Sequence, residues 1–211
     1  MTIPVTDLLS RLDNLMNDDD RVRWDIAERL RWINDTAREI VLRRPAARGV
    51  TQVLTLVAGT LQTAPIGSAQ VLDIIRNIVA GKPGRVIRIT DRQLLDDAQP
   101  DWHTVKAGLT KHFTYDERTP TTFYVYPPAS AGATVEALLS MPPPEVSEGD
   151  TLDMRAEFIS AIINWALYRC HTKDSEFSQG AMAGQMYQAF MDAIATPDQA
   201  VRTNSPKGNS A

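Results

Sequence analysis

Nine of the chain's 13 prolines fall between Gly49 and Asp150, and that crowding constrains the fold more than any other feature. There, short β-branched and aromatic runs alternate with turn residues, while both flanks carry apolar side chains at helical spacing. A proline-studded segment cannot hold long helices, and a stripe repeating every three to four residues cannot lie along one face of a sheet. The pattern predicts an α+β protein, a helical bundle built from both chain ends with an inserted β-rich subdomain. The expected divisions are 1–48 and 151–196 for the two halves of the bundle, 49–150 for the insert and 197–211 for a flexible carboxyl-terminal tail.

The first helix is expected over about Thr6 to Met16, with Val5, Leu8, Leu9, Leu12 and Leu15 or Met16 at helical spacing. Asp18-Asp19-Asp20 offers a cap for a second helix from Arg21 to Arg44, stopped by Pro45. Its apolar stripe is Val22, Ile26, Leu30, Ile33, Ala37 and Ile40, with Asp25–Arg29 and Arg31–Asp35 as opposite charges on the other face. Trp24 and Trp32 lie off that stripe, so they either widen it or meet another subunit, which makes both candidate partner-binding residues.

In the insert, strands are expected at Val53–Val57, near Gln70–Ile75, and at Arg85–Ile89, Thr122–Tyr126 and Thr134–Leu139. Gly81-Lys82-Pro83-Gly84 reads as a turn, and Arg92–Asp97 as a short helix capped by Thr90 or Asp91. Alternation puts Phe123 and Val125 on one face of their strand and Tyr124 and Tyr126 on the other, and Pro127-Pro128 and Pro142-Pro143-Pro144 end strands. The helical end is a pair: Asp150 or Thr151 to Cys170, apolar nearly all round from Ala156 to Tyr168, then Asp174 or Ser175 to about Ala195. In the last helix Gly180, Ala183 and Gly184 form a small-residue face suited to close approach. Beyond it, Pro197–Ala211 has Val201 as its one large apolar side chain, too little to offset an ordering entropy of about 1–2 kcal/mol per residue.

Composition excludes several classes of function. Lysine and arginine number 22 against 26 acidic residues, a net charge of −4, which argues against gripping nucleic-acid backbone as the main role. The single cysteine, Cys170, rules out an internal disulfide. The start of the chain lacks the basic and apolar regions of a signal peptide, and no apolar run is long enough for a membrane span. Of the 22 basic residues only 5 are lysine, and arginine is the residue of fixed ion pairs and interfaces.

No catalytic, cofactor or metal constellation emerges. Asp101-Trp102-His103 with His112 lacks metal-ligand spacing, and Cys170-His171 are sequence neighbours that point to different helix faces. Asp18-Asp19-Asp20 does not continue as a calcium loop, and neither a phosphate-binding loop nor a nucleophile elbow is present. The expectation is a protein without catalytic residues, cofactor or metal.

Three segments in order carry a further signal. The first is Arg29-Leu30-Arg31-Trp32-Ile33-Asn34-Asp35-Thr36-Ala37-Arg38-Glu39-Ile40 with Arg44-Pro45. The second runs from Gly59-Thr60-Leu61-Gln62-Thr63-Ala64-Pro65 through Asp73-Ile74-Ile75-Arg76-Asn77 and Pro100-Asp101-Trp102 to Phe123-Tyr124-Val125-Tyr126-Pro127-Pro128. The third is Ala166-Leu167-Tyr168-Arg169-Cys170-His171-Thr172-Lys173-Asp174-Ser175-Glu176-Phe177 with Tyr187-Gln188-Ala189-Phe190. Together they resemble the head-to-tail adaptor proteins of tailed bacteriophages, particularly those of short-tailed phages, over residues from about 5 to 195.

That resemblance implies a ring, commonly of twelve copies, beneath the portal protein in the neck of the virion. Such a ring assembles in the host cytoplasm, continues the DNA channel without binding DNA specifically, and docks the tail tube or nozzle protein, with no membrane involved. It implies no catalytic residues. By position it makes the carboxyl-terminal tail a portal contact through Val201, Arg202, Pro206 and Lys207. On residues alone two other readings stay open: a cytosolic helical protein-binding module with no virion role, and an enzyme using Asp101, His103 or His112.

Overall fold

The computed structural model describes residues 2–173 and 180–204, the side chains of 196–204 excepted. Its described residues form five α-helices: α1 (Val5–Met16), α2 (Ile26–Arg43), α3 (Arg92–Ala98), α4 (Ile159–Thr172) and α5 (Gly180–Asn204). The strands are β1 (Ile3–Pro4), β2 (Gly49–Thr55), β3 (Gly59–Thr63), β4 (Gln70–Val79), β5 (Lys82–Val86), β6 (Arg88–Ile89), β7 (His112–Tyr115), β8 (Thr122–Ala129), β9 (Thr134–Ser140) and β10 (Thr151–Leu152). The protein is therefore mixed α and β. Arg48–Pro142 form one compact unit, and the residues before and after them form a second.

In the helical unit, α1 buries Val5, Leu8, Leu9 and Leu12, the stripe its sequence predicts. The second helix starts five residues later than predicted. Asp18 accepts hydrogen bonds from the backbone N–H groups of Val22, Arg23 and Trp24 at 3.0, 3.2 and 3.1 Å, so the chain wraps around that carboxylate before it can turn helical. Asp25 then caps α2, accepting from the Glu28 N–H at 2.7 Å. Val22, predicted as the first residue of the stripe, is left 84% exposed. The buried face of α2 is instead Arg29, Trp32, Ile33, Thr36, Ala37, Ile40 and Val41, rotated toward the tryptophan side.

Helix α4 packs against α1, α2 and α5, and buries Ala161, Ile162, Ile163, Ala166 and Cys170. It begins later than predicted because Thr151–Leu152 pair with β1, Ile3 opposite Leu152, and a 3-10 turn over Ala156–Phe158 follows. On α5 the packing face differs from the predicted one. Gly180 and Gly184 face open space, while Ala183, Phe190 and Ile194 are buried and the Phe190 ring lies 4.7 Å from that of Trp165. Glycine contributes no contact area, so the large side chains one turn further on set the seam. The backbone of α5 stays helical through Asn204, so helix replaces the first part of the tail predicted from Pro197. The predicted start of this helix at Asp174 or Ser175 lies outside the described residues.

The β unit consists of two four-stranded sheets, ordered β2-β9-β4-β5 and β3-β8-β7-β6. All neighbours are antiparallel except β6 and β7. One apolar cluster joins Leu54, Val71, Ile74, Val135, Ala137 and Leu139 of the first sheet to Phe113, Phe123, Val125 and Ala129 of the second. Two sheets sharing one core face to face make a sandwich. Phe123 and Val125 lie in that core and Tyr124 and Tyr126 on the other face, as alternation predicts.

Three local expectations change here. The hairpin turn is Ala80-Gly81, with φ of 50° and 73° and Val79 opposite Lys82, because a two-residue loop needs positive φ at both positions. Lys82, Pro83 and Gly84 are therefore strand, and Pro83 sits on an outer strand, where a missing N–H is tolerated. The single strand predicted over Arg85–Ile89 divides between the sheets, ending β5 and forming β6. Finally, β8 runs on through Pro127-Pro128 to Ala129 instead of stopping at Tyr126.

Candidate functional site

The predicted partner-binding residues fall in very different surroundings. Trp24 and Trp32 are each 5% exposed, with ring centroids 5.6 Å apart. Lys173 roofs the pair: its Nζ lies 4.7 Å from the Trp24 ring centre and donates to both Glu28 carboxylate oxygens at 2.8 Å. The two indoles thus widen the buried stripe. The backbone at Val201 and Arg202 belongs to α5 and their side chains are not described, while Pro206 and Lys207 lie outside the described residues.

Next to the tryptophans lies a buried ionic cluster that the sequence reading places on a solvated face. Arg29 is fully buried. Its Nε donates to the Trp24 carbonyl at 2.8 Å, and one terminal nitrogen donates to the Asp18 carbonyl at 3.0 Å and carboxylate at 2.6 Å. The other terminal nitrogen meets the Asp13 carboxylate, which Arg21 also holds at 3.1 Å. Asp25, the partner expected for Arg29, caps the helix instead. A signal was available: Arg29, Trp32, Thr36 and Ile40 advance by three, four and four residues, a buried stripe with an arginine at its head.

In the β unit the histidines join an aromatic cluster. Trp102 is fully buried, its indole stacked on His103 at 3.7 Å between centroids and edge-on to Tyr124 and Tyr126 at 6.1 and 6.4 Å. Its Nε1 donates to Asp96 at 2.8 Å. The His103 Nδ1 lies 2.8 Å from the Thr60 hydroxyl, and the His112 ring stacks on Tyr126 at 6.3 Å. Among the described residues, no three His, Cys, Asp or Glu side chains come together as a metal site, and no helix is long and apolar enough to cross a membrane. Burial pushes the Cys170 thiol up to about 11, which suppresses the thiolate a nucleophile needs.

An open polar cleft of about 560 Å³ lies between α3 and the β7–β8 turn, lined by Arg92, Asp96, Thr114, Asp116, Arg118 and Tyr124 among others. The Arg92 guanidinium sits 5.5 Å from the Tyr124 ring centre. Hydrogen bonds from the Arg118 side chain and backbone hold the Asp116 carboxyl down at about 2. Replacing Arg118 by alanine should return Asp116 toward the ordinary aspartate value of 3.8, followed by NMR titration. A depressed carboxylate adds stability above its ordinary pKa and loses it as pH falls through about 2. The pair lies at the surface, with Arg118 exposed, so melting across that pH window should hardly change on this substitution.

What the described residues of these units display is packed interior, sheet edges, one buried ionic cluster and solvated ion pairs. The chain belongs to the SU10 adaptor protein family, whose model matches residues 3–209. The family name is that of a phage adaptor, which implies a structural role, and it agrees at that level with the resemblance carried by the three sequence segments. None of the curated proteins matches the chain.

Proposed function

We propose that the protein is the structural head-to-tail adaptor of a phage virion of short-tailed type. In this reading twelve copies form a ring below the portal, continue the DNA channel and dock the tail tube or nozzle. The observation that carries it is the family match over residues 3–209, nearly the whole chain. Charge supports the channel role: twelve copies at −4 each carry about −48, which lets a duplex pass without holding it. The carboxyl-terminal residues Val201, Arg202, Pro206 and Lys207 are the portal contacts in this reading, two apolar side chains each followed by a cation that can pair with carboxylates.

Electron microscopy of the protein mixed with its portal tests the proposal, with a chain truncated after Thr196 as the second arm. The full chain should add a ring below the portal. The truncated chain, which loses the last turns of α5 but keeps the buried Phe190 and Ile194, should attach far more weakly while the subunit stays folded. DNA-filled heads that carry tails normally without this protein would overturn the role, and equal attachment of the truncated chain would overturn the assignment of the portal contacts.

A further inference from the structure

The four outer strands of the sandwich are not alike. Strand β5 carries Lys82, Pro83, Gly84 and Arg85, and its pairing with β4 is broken by a bulge between Arg76 and Ile78. Strand β3 has a bulge between Gly59 and Leu61, and β6 is two residues long. Charges, proline, bulges and shortness are the usual means of keeping an edge from recruiting another strand. Strand β2 has none of them. It reads Gly49-Val50-Thr51-Gln52-Val53-Leu54-Thr55, without a charge, and pairs with β9 residue for residue without interruption.

The outward half of its backbone can be assigned. Just beyond β2, the Leu56 N–H donates to the Ala133 carbonyl at 2.7 Å and the Leu56 carbonyl accepts from the Gly132 N–H at 3.1 Å. At the other end the Arg48 carbonyl accepts from the Met141 N–H at 3.3 Å. Even-numbered residues therefore face β9, and Thr51, Val53 and Thr55 turn their N–H and C=O groups outward. Among the described residues β9 is the one strand paired with β2, and no donor or acceptor reaches those outward groups. The three side chains are exposed, Val53 by 57%.

We propose that this edge pairs antiparallel with the same edge of a second copy of the chain, Val53 opposite Val53 and Thr51 opposite Thr55. The sequence is what selects a second copy. Across a two-fold axis Val53 meets its own symmetry mate and each flanking residue meets the one equally far on the other side of Val53, so a charge at the centre would face a like charge. The edge is uncharged, and about Val53 its outward residues repeat: Thr51 and Thr55 are identical, while on the opposite face Val50 answers Leu56 and Gln52 meets Leu54. The β-branched cross-strand pairs that result are stabilising ones, and the two Val53 side chains cover each other. The joined sheets would run continuously through eight strands.

A closed ring has no two-fold axis in its plane, so this pairing is separate from the ring contacts and belongs to the free chain. Sedimentation of the isolated full chain should show a concentration-dependent dimer. Val53→Lys, a change at an exposed position, should weaken that dimer by at least about tenfold because two like charges are brought face to face. Cysteine variants read the register directly, since facing residues lie within disulfide reach and the native Cys170 is buried. Val53→Cys should form a disulfide-linked dimer under mild oxidation. Thr51→Cys and Thr55→Cys should each fail alone and cross-link when mixed. A wild-type chain that sediments as a monomer, a dimer untouched by Val53→Lys, or a Val53→Cys variant that does not cross-link would each overturn the proposal, and none of these results bears on the ring.

Discussion

Replacing Arg29 by alanine should destabilise the helical unit by about 3–5 kcal/mol, a large share of the roughly 5–15 kcal/mol that holds a domain together. The side chain is fully buried between two carboxylates, those of Asp13 and Asp18, which are themselves 14% and 6% exposed. Removing the guanidinium leaves both charges in a poorly solvated site, leaves the Trp24 carbonyl without its Arg29 donor, and leaves the Asp18 carbonyl with the Arg21 N–H alone. Asp18 is further committed to three backbone N–H groups at the entry to α2, so loss of Arg29 loosens that loop as well. Arg29→Lys should recover part of the loss at most, because one ammonium cannot reach four acceptors held in a planar fork. Hydrogen exchange of the amides of α1 and α2 is the measurement of choice, since a chain with two compact units need not unfold in a single step. Ordinary protection in the alanine variant would show that the cluster is solvated.

In the β unit the corresponding change is Trp102→Ala, expected to cost about 3–5 kcal/mol. The indole is fully buried and touches His103, Tyr124 and Tyr126. Deleting it opens a void over the outer face of β8 that a sheet backbone cannot close. Trp102→Phe keeps most of the contact area and loses the hydrogen bond to Asp96, so it should cost only about 1–2 kcal/mol more than its volume change. His103→Ala, at an exposed position of the same stack, should fall within about 1 kcal/mol of wild type. Denaturant unfolding with hydrogen exchange in β8 separates the three. Similar losses for His103→Ala and Trp102→Ala would mean that the histidine, not the indole, anchors the cluster.

The elements legible in the sequence are those fixed by local periodicity. The α1 stripe, the α2 body from Ile26 onward, α3 with its Asp91 cap, and β8 and β9 all carry their pattern within a few turns or residues. What escaped depends on distant partners. Strand β7 is the four residues His112–Tyr115, too short to show alternation, and exists because β8 pairs along it. Strand β3 contains a glycine at φ of 108° and reads as a loop until β8 is alongside. Arg29 looked like one half of an i,i+4 surface pair with Asp25, and only the return of the Asp13–Asp18 segment makes it interior. The glycines of α5 show the converse error: a small-residue spacing suggests close approach, but the neighbouring helix meets Ala183 and Phe190 instead. Of the candidate partner-binding residues, the tryptophans were legible as either interior or subunit-facing, and within the chain both are buried, Trp24 beneath Lys173.

The helical unit is assembled from both ends of the chain while the β unit is one unbroken stretch, Arg48 to Pro142. On a ribosome this order matters. Strand β1 has to wait for Thr151–Leu152, and α1 and α2 for α4, before their apolar faces can be covered. At roughly 5–20 residues per second the interval from α2 to the end of α4 is roughly 6–25 s, during which Leu8, Leu9, Leu12, Ile33 and Ile40 stand uncovered on the nascent chain. The β unit can close within that interval. Its completion draws Ala47 and Pro143 from widely separated points of the chain to fixed stations on a folded body, which shortens the search that the two helical halves must make for each other.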